Sequence, residues 1–235
     1  GQAITNEPTS VALTEPGPTL PAPTSSEPET SPQPAPHGAW IQRLYQVFLG
    51  RQASPAETQA RESELAAGVH PVDLTQALAS SQEARDRVLE GLYQRYLGRA
   101  IDPSGRAHYR RALAEGRSRS QIESDLLASG EYAARTGNTA QGWLRGLYRD
   151  VHLRAPDTGG FNHFQQTLRI PGSKVAVTFA FLHSPERRAR WVRACYAEIL
   201  ARTPSADELQ RWLQALAAGA SLDEVRTDLA ASLAP

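Results

Sequence analysis

Apolar residues along most of this chain recur at the three- and four-residue spacing of amphipathic helices. The first such stretch places on one helical face Trp40, Ile41, Leu44, Tyr45, Val47 and Phe48. No stretch shows the sustained alternation of apolar and polar residues that is typical of strands. The pattern therefore predicts an all-α body.

A phrase centred on a tyrosine recurs four times and sets the period of this pattern. The tyrosines are Tyr45, Tyr93, Tyr148 and Tyr196, at spacings of 48, 55 and 48 residues. Five residues before them stand Trp40, Val88, Trp143 and Trp191, and six residues after them stand Arg51, Arg99, Arg154 and Arg202. We call these aligned stretches copies one to four. They predict four three-helix repeats of about 48 residues, stacked in one or two bundles because neighbouring repeats must bury each other's apolar faces.

Signals for a helix start follow each tyrosine phrase. Nine residues after the tyrosines stand four residues of the kind that cap a helix, namely Ser54, Asp102, Asp157 and Ser205. Ser54 with Glu57, and Ser205 with Glu208, have the spacing of a capping box. The recurring arginine precedes them, near the carboxyl end of the first helix, where a cation is favourable. Each phrase thus predicts a helix–turn–helix joint.

Residues that share a register across the copies form the predicted core. They are Trp40, Tyr45, Tyr93, Trp143, Tyr148, Trp191, Cys195 and Tyr196. Cys195 takes the place that leucine holds in the other three copies, which favours a small buried hydrophobe over a reactive thiol. The tryptophans could form a platform for stacking sugars, but their shared helical register favours packing between helices.

Composition divides the chain into a tail and a body. Residues 1–37 hold 9 of the 17 prolines and four glutamates, without lysine or arginine, which predicts an extended tail that is disordered or polyproline-like when alone. The remaining residues carry a net charge of +4. The extra residues between copies two and three predict domains over residues 38–134 and 143–235, joined by a loop at residues 135–142. One continuous stack of all four copies is equally compatible with the sequence.

The sequence has no methionine, and its positive charge is almost all arginine. We expect a processed chain or a fragment, and removal of an export signal is one natural cause. The proline-rich tail is typical of the stalks of exported domains, although an excised interdomain linker has the same composition. No apolar run approaches the ~18 residues of a membrane span. These features favour a periplasmic or cell-surface location without a membrane-spanning segment.

Candidate chemistry is sparse in this sequence. The six histidines form neither an HxxxH nor an HExxH pair, and a single cysteine cannot build a zinc site. The sequence contains no phosphate-binding glycine loop and no nucleophile elbow. Asp102 and Asp157 lie in glycine-bearing loops that could contribute to a calcium site, but the alternating acids of a calcium loop are missing and helix capping explains both residues. We therefore expect no catalytic residue, no metal and no cofactor.

Arginine is dense in places, for example at Arg187, Arg188 and Arg190. Proteins that bind nucleic acid concentrate such charge into a strongly basic domain. Here acidic residues are interleaved with the arginines and the net charge of the body is small. These stretches therefore favour solvated helix faces or protein interfaces, and we expect no nucleic-acid partner.

Copy two reads LYQRYLGRAIDPSGRAHY, then LAEG, then SGEY, and copy four reads CYAEILARTPSADELQRW, then LAAG. These stretches resemble the repeats of a bacterial family catalogued as domain of unknown function 4214, whose pattern is LYRxxLGRxPDxxGxxYW followed by LxxG and SPEY. Copy three keeps LYRDVHLRAPDTGGFNHF and SPER but lacks the glycine before the arginine, and copy one has SPAE where the family prefers aspartate and glycine. The resemblance covers residues 40–233. More distantly, the pattern is similar to the helical domains of phycobilisome linkers, which are scaffolding proteins of light-harvesting assemblies.

The resemblance implies a module of an exported or surface protein, without an established activity, and the likeness to linkers implies a scaffold. With the repeats and the tail, it predicts a non-enzymatic subunit that docks on or bridges proteins of a larger extracytoplasmic bacterial assembly, photosynthetic or cell-surface. The tail would become ordered on a partner. The expected partners are other protein subunits, through which any membrane association would run. The rival prediction is a glycan- or calcium-binding surface module of an exported protein.

Overall fold

The computed structural model of the chain describes residues 37–235. In that part 74% of the residues are helical, in thirteen α-helices and two π-helical turns, and no strand is present, so the all-α prediction is confirmed there. The predicted tail, residues 1–37, lies outside the described residues except for His37. The count of four repeats stays a prediction.

Copies one and two each begin with a helix that ends at a left-handed glycine. Copy one comprises α1 (Gly38–Leu49), α2 (Pro55–Ala66) and α3 (Pro71–Ala79). Copy two comprises α4 (Gln82–Leu97), α5 (Pro103–Ala114) and α6 (Arg119–Ala128). Gly50 and Gly98 follow α1 and α4 with φ angles of 72° and 71°. Glycine suits these positions because a left-handed conformation costs other residues roughly 1–2 kcal/mol.

The first helix of copy three is split into two pieces. It starts as α7 (Gly130–Arg135) and resumes as α8 (Ala140–Leu147). The intervening turn holds two left-handed residues, Gly137 and Asn138. The loop predicted at residues 135–142 is therefore shorter than expected, because Thr139 restarts the helix: its hydroxyl accepts a hydrogen bond from the Gly142 N–H at 2.9 Å.

Copies three and four reach their first joint through a π-helical turn. In copy three, π1 (Tyr148–His152) follows α8, and α9 (Thr158–Thr167) and α10 (Lys174–Leu182) come next. Copy four comprises α11 (Pro185–Cys195), π2 (Tyr196–Leu200), α12 (Ala206–Ala217) and α13 (Leu222–Ala231). After the π turns, Leu153 and Ala201 have φ angles of 52° and 53°, the conformation that glycine adopts in the first two copies.

Two hydrophobic clusters form the core, and each unites two copies. The first cluster joins copies one and four, around residues such as Ile41 and Val192, and the second joins copies two and three, around residues such as Leu127 and Phe181. The third helices meet within each pair, since α3 packs on α13 and α6 packs on α10. Residues 38–134 and residues 143–235 each contribute to both clusters. Both clusters therefore combine residues of the two predicted domains, since α3 finds its apolar partner in α13 and α6 in α10, and the division into domains stays a prediction.

Hydrogen bonds join the first helix of the described part to the last copy. The Trp40 indole Nε1 in α1 donates to the carbonyl of Ala230 in α13 at 3.1 Å. Arg43 in α1 donates to the carbonyls of Glu198 and Ile199 at the end of π2. A π turn leaves such carbonyls without the regular helical donor, so the arginine supplies a partner from another copy.

A buried ion pair crosses between α6 and α11. The carboxylate of Glu123 is 1% exposed, and it accepts a hydrogen bond from Arg187, which is 6% exposed. Arg187 also donates through Nη1 to the Leu182 carbonyl at 2.9 Å. The arginine-rich start of α11 was predicted to be a solvated helix face or a protein interface, and for Arg187 this was wrong because the residue is buried against Glu123 of α6. Removing one partner of such a pair costs about 3–5 kcal/mol, since the other charge stays buried.

Candidate functional site

In each of the four helix joints, the recurring arginine lies over the ring of the recurring tyrosine. The distances from the guanidinium carbon to the ring centroid are 5.2, 5.1, 5.0 and 5.0 Å in copies one to four. The pairs are Arg51 on Tyr45, Arg99 on Tyr93, Arg154 on Tyr148 and Arg202 on Tyr196. The tyrosine rings are buried in the core, so each arginine has one apolar face and edges that are free to bind carboxylates.

In copies one and four a glutamate three residues after the cap binds this arginine. The Ser54 hydroxyl accepts from the Glu57 N–H at 3.3 Å, and Glu57 accepts in return from the Ser54 N–H at 2.8 Å. Both oxygens of Glu57 also bind Arg51, at 2.8 and 2.9 Å. Ser205, Glu208 and Arg202 repeat this arrangement. We call these two sites the serine joints.

In copies two and three the cap residue itself binds the arginine. The carboxylate of Asp102 accepts from the Gly105 N–H at 2.8 Å and from Arg99 at 3.0 Å. Asp157 accepts from the Gly160 N–H at 2.7 Å and from Arg154 at 3.2 Å. The position that holds glutamate in the serine joints holds glycine here. We call these two sites the aspartate joints.

A second carboxylate reaches three of the arginines from the start of the next copy. It belongs to the residue 32 positions later, which is Glu83, Glu131 or Glu186. Each glutamate is the second residue of a helix that begins after a capping serine, namely Ser81, Ser129 or Ser184. Sequence reasoning missed these partners, although the recurrence of Ser-x-Glu at one register was a signal that could have found them. These ion pairs hold consecutive copies together at their joints.

An arginine four residues after each of these glutamates caps the preceding copy. These arginines donate to carbonyls near the end of that copy's first helix: Arg87 to Val47 at 2.9 Å, Arg135 to Tyr96 at 3.1 Å, and Arg190 to Val151 and His152. Residues four apart lie on the same face of a helix. The start of each later copy therefore carries a glutamate and an arginine that together bind the copy before it.

Hydrogen bonds at the joints lower the pKa of their carboxyl groups. The Arg51 guanidinium lowers the pKa of Glu57 to about 2, and Arg202 does the same for Glu208. At the aspartate joints, the pKa of Asp102 is lowered by the hydroxyl of Ser104, then by the Gly105 N–H and Arg99, and that of Asp157 by the Gly160 N–H and Arg154. These carboxylates are thus ionised and occupied by cations and helix N–H groups of the same chain.

Of the predicted core residues, all but Trp191 are buried: Trp40, Tyr45, Tyr93, Trp143, Tyr148, Cys195 and Tyr196. Trp191 is half-buried and packs against the first cluster. The two clusters divide these residues, so the structure does not bring them together at one place. Burial raises the pKa of the Cys195 thiol to about 12, which keeps it protonated at neutral pH.

Metal-binding chemistry has little geometric support among residues 37–235, where no group of three His, Cys, Asp or Glu side chains is arranged to hold an ion. Asp102 and Asp157, the candidates for calcium, belong to different joints and act there as helix caps. His70, at the entrance of α3, accepts through Nδ1 from the Val72 N–H at 3.3 Å. Burial lowers the pKa of His152, which lies against Phe181 in the second cluster.

A cavity of about 320 Å³ lies where copies one, two and four meet. Its wall includes Phe48, Leu92 and three arginines, Arg85, Arg119 and Arg226. Arg119 lies 3.4 Å from the Glu123 carboxylate, and Arg226 binds Glu198 at 2.7 Å and the Val47 carbonyl at 2.9 Å. Arg119 also lies 3.6 Å from Asp223 of copy four, so Arg119 and Arg226 both link copies, and the cavity is a seam between copies within the body.

An apolar stripe on the outer side of copy three has no counterpart in the sequence predictions. Ile170, before α10, and Val175 and Phe179, within it, are 63%, 59% and 59% exposed. The Phe179 ring stacks on His183 with centroids 3.9 Å apart. The opposite side of α10 is buried, with Val177 and Phe181 in the second cluster. The sequence of a helix that is apolar on both sides predicts complete burial, so sequence alone could not distinguish the exposed stripe from the core residues.

No protein-family model, curated protein or solved structure matches this chain. The resemblance to family 4214, and the more distant one to phycobilisome linkers, therefore stay predictions. Within residues 37–235, no helix combines the length and the apolarity needed to cross a bilayer.

Proposed function

We propose that this chain is a non-enzymatic structural subunit that docks on or bridges other proteins of an extracytoplasmic bacterial assembly. The observation that carries the proposal is the apolar stripe formed by Ile170, just before α10, and by Val175 and Phe179 within it. Three large hydrophobic side chains, each more than half exposed, lie within ten residues of chain. Exposed apolar patches of this kind are typical of interaction sites.

A comparison with the other third helices supports a role for the stripe beyond packing. The positions nine and five residues before the recurring serine hold Val175 and Phe179 in copy three, but Ser120 and Ser124 in copy two. α6 and α10 pack on each other and share the second cluster, so the two helices have the same structural task. Phenylalanine in place of serine adds nothing to that cluster. It adds apolar surface on the outside of the body, where a partner would bury it.

The chemistry of the described residues accords with a structural role. Arginine supplies most of the ion pairs and hydrogen bonds between copies, and the carboxyl groups with the lowest pKa values are bound to arginines or to helix N–H groups. The resemblance to exported repeat modules and to linkers supports a periplasmic or cell-surface location and a photosynthetic or cell-surface assembly. The proline-rich tail would add a second contact that orders on a partner.

The test is co-migration of the chain with other proteins after gentle extraction from its native host. We expect a complex much larger than the 25.6 kDa of the chain alone. The double variant Val175→Ser with Phe179→Ser should release the chain from the complex with little change in Tm, because exposed substitutions rarely change stability by more than about 0.5 kcal/mol. Deletion of residues 1–37 tests the contribution of the tail.

A matched control is Val72→Ser, which makes the same change at the same register of α3, where Val72 is 42% exposed. It should leave the complex intact. Migration of the wild-type chain as a free monomer would contradict the proposal. Binding assays with surface glycans and with calcium would then decide on the rival function.

A further inference from the structure

Among residues 37–235, the recurring arginine of copy four has no second carboxylate of the kind that binds the recurring arginine in the other three copies. In copy one, Arg51 binds Glu57 through Nη1 and Nη2, and it binds Glu83 through Nε at 2.6 Å and Nη2 at 2.9 Å. Arg99 and Arg154 receive Glu131 and Glu186 on the same Nε edge. Three of the four sites are therefore closed by a glutamate from the next helix start.

At Arg202 the local half of this arrangement is present and the other half is open. Glu208 binds Nη1 and Nη2 at 2.8 and 2.6 Å, as Glu57 does in copy one, and the Tyr196 ring lies beneath the guanidinium. The residue 32 positions later is Ala234, which has no carboxylate. Within residues 37–235 the Nε edge of Arg202 makes no hydrogen bond, and its side chain is 50% exposed, against 39–40% for the other three arginines.

The three closed sites define the chemistry that fits the open one. Each is filled by a glutamate at the second position of a helix whose cap is a serine, as in Ser81-Gln82-Glu83. The cap holds the helix start in place, so that the carboxylate meets the planar guanidinium with both oxygens. The arginine that accompanies Glu83, Arg87, is not required at copy four, because Arg43 already occupies the carbonyls of π2.

We propose that Arg202, on the ring of Tyr196, is a docking site for the glutamate of a Ser-x-Glu helix start on a partner polypeptide. A second copy of the described part fits less well, because the helix starts of this type within residues 37–235, at Glu83, Glu131 and Glu186, are already bound to arginines of the same chain. The inference rests on the proposed function as a protein-binding subunit and names one class of partner segment. The site lies in copy four, on elements other than the stripe of α10, so the two surfaces offer separate contacts for bridging.

The experiment is a titration of the full chain, labelled with ¹⁵N, with a synthetic peptide that has the sequence of residues 79–97. The readout is the Nε–Hε resonance of Arg202. We expect a saturable shift of this resonance with an affinity no tighter than the millimolar range, because a single exposed ion pair contributes little binding free energy. The same peptide with Glu83→Gln should give at least a threefold smaller shift.

The variant Arg202→Gln should lose peptide binding, measured on the backbone resonances of residues 196–208. Arg211→Gln removes an exposed arginine from α12 of the same copy and should bind the peptide as the wild type does. Equal shifts with the Glu and Gln peptides, or none with either, would overturn the inference even if the chain travels in a complex. Selective shifts from a chain that is monomeric in its host would contradict the proposed function and leave the site standing.

Discussion

The serine joints and the aspartate joints have the same arrangement of cap and arginine, but different residues supply the cap and the carboxylate. Copies one and four, which share the first cluster, combine a serine cap with a glutamate three residues later. Copies two and three, which share the second cluster, combine an aspartate cap with glycine at that place. In both types one carboxylate from the start of the second helix of the same copy binds the recurring arginine. The joint therefore requires a carboxylate at the guanidinium and a cap on the helix, whichever residue supplies each.

The tyrosine hydroxyl explains why glycine accompanies aspartate. At the aspartate joints a Cβ on Gly105 or Gly160 would lie 2.5 Å from the hydroxyl of Tyr93 or Tyr148. At the serine joints the hydroxyl is held elsewhere by a donor 16 residues later: Arg61 lies 3.4 Å from the Tyr45 hydroxyl, and the Trp212 indole donates to Tyr196 at 3.0 Å. In the aspartate joints the same register holds Tyr109 and Phe164, and neither donates a hydrogen bond to the tyrosine hydroxyl. The cap, the residue three positions after it and the residue 16 positions after the tyrosine thus vary as a set.

The largest effect should come from adding a methyl group at an aspartate joint. Gly160→Ala in α9 should destabilise the fold by about 2 kcal/mol, because the new Cβ overlaps the Tyr148 hydroxyl and overpacking typically costs 1–3 kcal/mol. Urea unfolding measures the change. Gly159→Ala, one residue earlier and with no atom nearer than 3.7 Å to the added Cβ, should stabilise by about 0.5–1 kcal/mol instead.

The added change Tyr148→Phe should recover most of the loss in Gly160→Ala, since it removes the oxygen that the methyl group meets. If Gly160→Ala and Gly159→Ala have the same effect on the free energy of unfolding, the steric explanation of the aspartate joint is wrong.

The next largest effect concerns the cap residue, which only caps the helix in the serine joints but also binds the arginine in the aspartate joints. Ser54→Ala removes only a cap and should cost about 1 kcal/mol. Asp102→Ala removes the cap and the local partner of Arg99 together, so its loss of Tm should exceed that of Ser54→Ala. Asp102→Ser keeps a cap and should fall between the wild type and Asp102→Ala. An Asp102→Ala loss smaller than that of Ser54→Ala would contradict the double role of the aspartate.

A smaller effect concerns the left-handed residue after the first helix, which is glycine in copies one and two and another residue in copies three and four. Ala201→Gly should stabilise the fold by about 0.5–1 kcal/mol, because the left-handed conformation strains alanine more than glycine loses in chain entropy. The reverse change Gly98→Ala should destabilise by about 1 kcal/mol, with its Cβ 3.3 Å from Arg135 Nε. Thermal unfolding of both variants measures the difference. Destabilisation by Ala201→Gly would show that the π turn before it depends on alanine.

The smallest effect concerns pH at the serine joints. The pKa of Glu57 is about 2 in the folded chain, against an ordinary value of 4.5 that applies in the unfolded chain. The unfolded chain therefore binds more protons in acid. The stability from this carboxylate is present above about pH 4.5 and is lost as the pH falls through about 2. Glu57→Gln should flatten the dependence of stability on pH between these values, and Glu115→Gln, an exposed change at a carboxylate with no ion pair among residues 37–235, should not. The pair is exposed, so the effect is modest.

Short-range features of this fold were accessible from sequence, and long-range ones were not. A cap such as Ser54 or Asp102 involves groups three residues apart, so its pattern is complete within a few letters of sequence. The pairing of copy one with copy four depends on how α3 and α13 fit, and the third helices of all copies carry similar apolar spacing. Burial of Arg187 depends on Glu123, 64 residues away. A charged residue in an arginine-rich helix start gives no local sign of such a partner.

The candidate site divides in the same way. The recurrence of the arginine and of the Ser-x-Glu helix start is visible in the sequence, but their contact across 32 residues required the structure. The exposure of Phe179 also required it, because burial on one side of α10 and exposure on the other follow from which helix packs against it.

The hydrogen bond between Trp40 and Ala230 has a consequence for how the protein is made. Its two groups are 190 residues apart, so α1 cannot complete its packing until the ribosome has finished copy four. At roughly 5–20 residues per second, that delay is about 10–40 s. During this time Ile41, Leu44 and their neighbours have no native partner from copy four. Copies two and three, by contrast, can assemble their shared cluster while the last copy is still being synthesised.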